Sequence, residues 1–321
     1  MTRIGLATSG TTFSFGLHPK AARPRINAHT LMDKAQARGL VGIELPDRMI
    51  DNPEAVRQDA TERGMFVTVD TGGYEPDALA RVIELAGQVG SPVVRTVVGG
   101  AKIGGDRRPL AGRWQPFLDD VRAKLKVAAA EAERAGVTLC VENHQDLASE
   151  ELLQLCEEIA SPFFGINLDT GNPLATAEEP IDYFRRVAPH VKNVHLKDYW
   201  TWWSDEGFLL VRSPLGQGLV DFPVLLDLLA PAVPDVPMSI ELGALEARNI
   251  RVFAPDFWPD YPPRTAAQLA EALRVVRANA KPDGDWRTPY ERGESPEAIE
   301  AYEQRQLTES VEYVRGLVAS R

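Results

Sequence analysis

Eight short runs of β-branched and apolar residues alternate with amphipathic helical stretches along this chain, and that alternation restricts the fold more than any other feature. The runs are Arg3 to Ala7, Val41 to Leu45, Phe66 to Asp70, Val93 to Val98, Thr138 to Glu142, Phe164 to Asp169, Val191 to Leu196 and Met238 to Leu242. Between them Ala28 to Arg38, Pro76 to Gln88, Gln115 to Arg134, Glu150 to Ile159 and Pro180 to Val187 carry apolar residues at three- and four-residue spacing. Strand, helix and strand in repetition predict βαβ units and a parallel sheet. Eight repeats predict a closed (β/α)₈ TIM barrel of the α/β class.

A length of 321 residues suits one such barrel with insertions. We expect a barrel domain over 1–280, its last helix near Ala266 to Ala278. Residues 281–321 are then a C-terminal helical extension of the same domain, with a helix from about Pro296 to Leu317. Gly99 to Arg113, Tyr199 to Asp221 and Gly243 to Pro263 interrupt the alternation after strands, where a barrel carries its active-site loops. The last of these contains FAPDFWPDYPPR, whose prolines and rings predict an ordered lid or wall, or an oligomer contact. The glycine-rich VVGGAKIGGDRR has neither P-loop nor GxGxxG spacing, so it reads as a mobile loop, with no nucleotide cofactor expected.

Composition removes several function classes. Hydrophobic residues make up 44% and charged residues 25%, as in ordinary globular proteins, and no stretch is apolar enough to span a bilayer. MTRIGLATSG turns polar too early for a secretory signal, so a cytoplasmic location is expected. Cys140 and Cys156 are the only cysteines and form no CxxC, which predicts free thiols and a metal site without sulfur ligands. A net charge of −11 opposes binding to a phosphate backbone, so no nucleic-acid partner is expected.

Chemistry in a barrel comes from the carboxyl ends of its strands. Glu142, Asp169, His195 and Glu241 each end a predicted strand or lie one residue from its end. If these strands are parallel neighbours, the four side chains converge. Three carboxylates and an imidazole make a hard, oxygen-rich site suited to Mn²⁺, with Mg²⁺, Co²⁺, Fe²⁺ or Zn²⁺ as alternatives.

The order of these four residues resembles the xylose-isomerase-like sugar phosphate isomerase/epimerase superfamily, whose barrels bind one divalent metal through such a quartet. The phrases VENHQD (Val141 to Asp146), LDTGNPL (Leu168 to Leu174), VHLKDY (Val194 to Tyr199) and SPLGQGLVD (Ser213 to Asp221) look most like the branch of catalytic (alpha) subunits of C-glycoside deglycosidases. Ketose 3-epimerases usually carry a His three residues after the metal Asp, whereas Asn172 stands there in this chain. The resemblance implies a lyase that cleaves 3-oxo-glycosides, with His144 as the base that removes a proton beside the C3 carbonyl. It also implies a small beta subunit in a hetero-oligomer. The alternative is a sugar isomerase or ketose 3-epimerase in which Glu142 and Glu241 act as ligands and proton carriers; a non-catalytic sugar-binding barrel is a third possibility, disfavoured by the intact quartet.

Imidazole suits a base near neutral pH, and His144 lies just past the strand that delivers Glu142; the lesser alternative is that its ring merely bonds a loop carbonyl. Lys197 can bind or protonate a substrate oxygen or join a salt bridge between loops. Gln145 and Asn172 are candidate substrate contacts. Glu44 and Arg95 can reach sugar hydroxyls across the barrel mouth, or form a buried ion pair. Arg212 is a candidate anchor in the loop after His195. Trp200, Trp202 and Trp203 read as packing or interface residues before a sugar-stacking surface.

Overall fold

The computed structural model describes residues 3–319. Eleven strands and nine α-helices are found among the described residues, numbered here in chain order. The barrel is built from β1 (Ile4–Ala7), β2 (Gly42–Pro46), β3 (Phe66–Asp70), β4 (Val93–Thr96), β5 (Thr138–Glu142), β6 (Phe164–Asp169), β7 (Val191–Leu196) and β10 (Met238–Ile240). These strands are parallel in the ring order β1-β10-β7-β6-β5-β4-β3-β2, and β1 closes the ring by pairing with both β10 and β2. β2 and β6 are buried at every residue, including the polar Glu44, Asn167 and Asp169.

Helices α1 (Ala28–Gln36), α2 (Pro53–Glu62), α3 (Pro76–Val89), α4 (Trp114–Ala135), α5 (Ser149–Ile159), α6 (Pro180–Val187), α7 (Phe222–Ala232) and α8 (Ala266–Asn279) form the outer shell. Local chemistry sets their ends. Asn27, Asn52, Asp221 and Thr265 each accept a hydrogen bond from a first-turn N–H, and α2, α3 and α6 open on a proline. Gly90 and Gly136 stop α3 and α4 at φ of 78° and 66°, in the left-handed region that favours glycine. The stripes that read as apolar in the sequence, such as Leu79, Ile83 and Ala86 of α3, join one continuous core with the strands.

Two expectations about loops are corrected. Tyr199 to Asp221 is not a loop: β8 (Asp198–Ser204) and β9 (Gly207–Ser213) form an antiparallel hairpin with Ser204 opposite Gly207. Both arms are aromatic or apolar, as strands should be. Their two-residue link, Asp205 and Glu206, lacks the Asn-Gly or Asp-Gly signal that marks a hairpin turn. Within Gly243 to Pro263, β11 (Arg248–Ile250) adds to β9 and completes a three-stranded sheet beside the barrel.

The second correction concerns the glycine-rich loop after β4, which is anchored, not mobile. Arg107, buried, lies between the rings of Trp114 and Tyr261 at 3.9 and 3.8 Å. It pairs with both oxygens of Glu151 at 2.9 and 2.6 Å and also donates to the carbonyls of Asp146 and Asp260. Tyr261 donates to the carbonyl of Gly105 at 2.5 Å, so the proline-rich wall and the glycine loop hold one another.

The last helix, α9 (Pro296–Ala319), packs back on the barrel. Its buried Glu303 accepts from the N–H groups of Phe13 and Ser14 at 3.2 and 2.7 Å, and Ser310 accepts from Leu215 N–H at 3.0 Å. Cys140 and Cys156 are buried free thiols. Among the described residues no helix is long and apolar enough to cross a membrane.

Candidate metal centre

Parallel register brings the strand ends together. Asp169 lies beside His195 across β6 and β7, while Glu142 lies beside Asn167 across β5 and β6. Glu241 follows β10 by one residue, since that strand stops at Ile240 and not at Leu242 as the sequence run suggests. Glu142, Asp169, His195 and Glu241 are all buried, and one ligand atom from each lies within 4.8 Å of the others.

The imidazole of His195 is oriented from behind. Its Nε2 meets Glu44 Oε1 at 2.6 Å, which leaves Nδ1 facing Glu241 and Glu142. A carboxylate behind a histidine fixes the tautomer and raises the basicity of the free nitrogen, the usual arrangement behind a metal-bound imidazole. Glu44 is itself held by Asn193 Nδ2 at 2.9 Å and Thr68 Oγ1 at 3.1 Å, and it is only 1% exposed. It therefore acts inside the barrel on His195, not at the mouth. Arg95 likewise turns inward: its Nε lies 2.9 Å from Glu142 Oε2 and 4.0 Å from Glu44 Oε1, so its close partner is Glu142.

Asp169 is fixed from its own backbone outward. Asn143 Nδ2 donates to Asp169 O at 2.9 Å while Asn143 Oδ1 accepts from Asp169 N–H at 2.7 Å, a reciprocal clamp between two strand ends. Gly171 N–H donates to Asp169 Oδ1 at 3.0 Å. The Lys197 ammonium contacts Asp169 Oδ2 and lies 3.3 Å from Glu241 Oε1. A Cβ on Gly171 would lie 2.6 Å from the Tyr199 ring and one on Gly243 would lie 2.9 Å from it, so both glycines admit that ring beside the site.

Charge balance decides what the site can hold. Among the described residues, Glu44, Glu142, Asp169, Glu241 and neighbouring Asp70 face only Arg95 and Lys197 as permanent cations. Burial pushes Asp70 and Asp169 up to about 7, against the pull of Arg95 and of Lys197 respectively. Burial would also raise Glu142, but Arg95 and His195 overcome it and hold this carboxyl at about 2. For His195, burial disfavours charge, yet Glu241, Glu44 and Glu142 prevail and raise it well above the ordinary imidazole range. The surroundings thus favour positive charge at Nδ1. Three atoms there, His195 Nδ1, Glu142 Oε1 and Glu241 Oε2, are buried and make no hydrogen bond; Nδ1 and Glu241 Oε2 only face one another. Buried lone pairs of this kind are costly unless something binds them. A hard divalent cation fits the set, and this buried Glu/Asp/His cluster can hold one.

The remaining predicted residues separate by position. His144 lies two residues past Glu142, exposed to a cavity of about 520 Å³ that Gln145, Lys102 and Arg248 also line. Its ring has no hydrogen-bond partner among the described residues, and the protein around it, through desolvation, draws its pKa below the ordinary value. Gln145 is spent on structure: its Oε1 accepts from Gly104 N–H at 3.1 Å and its Nε2 donates to Asn172 Oδ1 at 3.0 Å. Its backbone sits at φ 68°, a strained conformation for a residue other than glycine. Arg212, 1% exposed, donates through Nε to Gln306 Oε1 of α9 at 2.6 Å and lies over the Tyr302 ring. Trp200 donates its indole N–H to Gln217 O at 2.9 Å, Trp202 meets Trp200 edge to face, and Trp203 stacks on Phe253 at 6.2 Å.

Sequence reasoning missed Asn143, Asn167 and Asn193, and it missed Arg248. A signal for two of them was present: Asn167 and Asn193 precede Asp169 and His195 by two residues, and alternate strand positions share a face.

Comparison with known proteins agrees with this architecture. A family described as xylose isomerase-like TIM barrel matches residues 32–277. Among curated proteins, a 3-oxo-isoapionate decarboxylase from Pectobacterium atrosepticum is 27% identical over 195 residues, 59% of this chain and 65% of that relative, just under two thirds of its length. An L-ribulose 3-epimerase structure superposes with a TM-score of 0.57 at 18% identity, covering 100% of this chain and 99% of the other. A 3-keto-D-glucoside 4-epimerase from E. coli gives 0.56 at 16% identity, covering 87% and 100%. At such identities the two structures speak for the fold alone.

Proposed function

The chain belongs to the xylose isomerase-like TIM barrel family, and from that premise we propose that it is a metal-dependent lyase acting on a 3-oxo sugar or glycoside. The carrying observation is the division of labour at the barrel mouth. Glu142 is held by Arg95, Glu241 by Lys197 and His195, whereas His144 is free of hydrogen bonds among the described residues and open to the cavity. A base must reach its proton, and of these three described groups His144 alone is unencumbered.

In this reading Glu142, Asp169, His195 and Glu241 hold the metal, with Mn²⁺ favoured by the hard donor set. The ion, when bound, supplies Lewis-acid polarisation of the substrate ketone. His144 accepts the proton from the carbon beside that ketone. The C–H electrons pass to the carbonyl unit, then return to expel the C1 substituent with its bonding pair. Lys197, whose ammonium contacts Asp169 and Glu241, would bind or protonate a substrate oxygen only by turning from these partners, and Tyr199 helps shape the wall. The matched relative is by its name a decarboxylase of a 3-oxo acid; its reaction also breaks a bond near a ketone, which supports an elimination or fragmentation over a simple epimerisation. The second reading, a sugar isomerase or 3-epimerase with Glu142 and Glu241 as proton carriers, is weakened by their engagement and by Asn172 bonding Gln145.

The test is to incubate Mn²⁺-loaded protein, alone and with a small beta subunit, with a 3-oxo-C-glucoside and separately with a free ketohexose, following products by mass spectrometry. Release of aglycone that drops roughly 10²- to 10⁴-fold in His144→Ala supports the lyase. Mass-neutral conversion of the ketohexose without release would establish the isomerase instead.

A further inference from the structure

Arg248 was absorbed by none of the roles above, yet it lines the same cavity as His144. Its Nε and Nη1 are buried and have no hydrogen-bond partner, and no ion pair to it exists among the described residues. Lys102, exposed on the opposite loop, also lacks an ion-pair partner among the described residues. The acid of this cavity, Asp106, has its oxygens taken by Arg108 Nε and Nη2 at 2.8 Å each. Gln145 has its amide committed to Gly104 and Asn172. In a chain of net charge −11, this cavity therefore presents two uncompensated cations beside the proposed base.

The placement is built by the side sheet. Arg248 stands opposite Leu210 on β9, Leu210 is two residues from Arg212, and Arg212 stands opposite Tyr199 on β8. Residues opposite one another and two apart share a face. Tyr199 on that face packs against Gly171, whose N–H holds Asp169, so the face looks toward the metal-ligand cluster. Unpaired guanidinium donors withdrawn from water call for an oxyanion, since a guanidinium cannot shed its proton to relieve the cost.

We propose that the cavity over His144 is an anion subsite in which Arg248 and Lys102 seat a negatively charged substituent, so that an acidic 3-oxo sugar or glycoside is preferred over a neutral one. This rests on the reading of the cavity as the substrate site and deepens it by naming the substrate class. Carboxylate and phosphate share the required chemistry.

Binding to Mn²⁺-loaded protein would be measured calorimetrically with D-glucuronate, D-glucose 6-phosphate and methyl β-D-glucoside at low and high salt. The expected result is that an acidic probe binds at least about tenfold tighter than the neutral one, and that salt erodes the difference. Preference for glucuronate identifies a carboxylate, preference for the phosphate a phosphoryl group. Arg248→Gln and Lys102→Gln should remove the preference while Arg248→Lys restores part of it, with unfolding midpoints unchanged. Equal affinity for neutral and acidic probes, or an Arg248→Gln variant that keeps the preference, overturns the proposal. His144→Ala separates the two ideas: it should keep the acid preference while losing turnover, and if turnover survives, the lyase mechanism falls while the anion subsite stands.

Discussion

At the scale of single residues, the most informative side chain is one that stands behind a candidate ligand. Glu44 fixes the ring of His195 through a 2.6 Å contact at Nε2, and Asn193 and Thr68 fix Glu44 in turn. Glu44→Gln keeps the shape but lets the ring choose its tautomer. We predict a loss of roughly 10- to 100-fold in Mn²⁺ affinity, checked by titration with calorimetric readout, with little change in the far-ultraviolet dichroism. An unchanged affinity would mean His195 does not ligate through Nδ1. Strand-end placement marked Glu142, Asp169, His195 and Glu241, because residue type and strand phase are both local. Glu44 was visible only as an acid at the end of the second strand. Whether it faced the mouth or the histidine depended on β7, about 150 positions away in the chain.

At the scale of elements, helix ends were well marked and side-sheet strands were not. Proline opens α3 at Pro76 and α6 at Pro180, and both starts are legible because proline suits the first helical turn regardless of context. The β8–β9 hairpin escaped notice because its turn carries no glycine at its centre, and three-residue β11 is too short to show a period. The glycine-rich loop shows the same limit. Its composition argued mobility, but Arg107 between Trp114 and Tyr261 holds it, and those rings come from separate parts of the chain. Arg107→Ala would strip Glu151 of its cationic partner, leaving it the neutral donors Trp114 Nε1 and Ala148 N–H, and would free the Asp146 carbonyl, for a predicted loss of about 3–5 kcal/mol in unfolding free energy. Limited proteolysis should then cut between Gly99 and Arg113, where the parent protein resists.

At the scale of the whole molecule, the barrel gathers acids that it does not neutralise. Five carboxylates converge on two permanent cations near the barrel's carboxyl end, an arrangement that opposes folding unless positive charge is added. A bound divalent ion should therefore stabilise the fold by mass action, on the order of 3 kcal/mol at a hundredfold excess over Kd. We predict that chelation lowers Tm by several degrees, that Mn²⁺ restores it, and that Asp169→Asn abolishes the response. A Tm indifferent to chelator and metal would refute the assignment of the cluster as a cation site.

Read without coordinates, the chain already determined its barrel, most of its helices and the four residues of the cluster, because periodicity, caps and strand-end chemistry act over a few neighbouring residues. The tertiary structure alone decided which nitrogen of His195 faces the cluster, which acid Arg95 serves, what restrains the glycine loop and where Arg248 points. Those outcomes depend on side chains delivered by strands and loops far apart in sequence, whose meeting is settled by barrel closure and sheet register and not by any local preference.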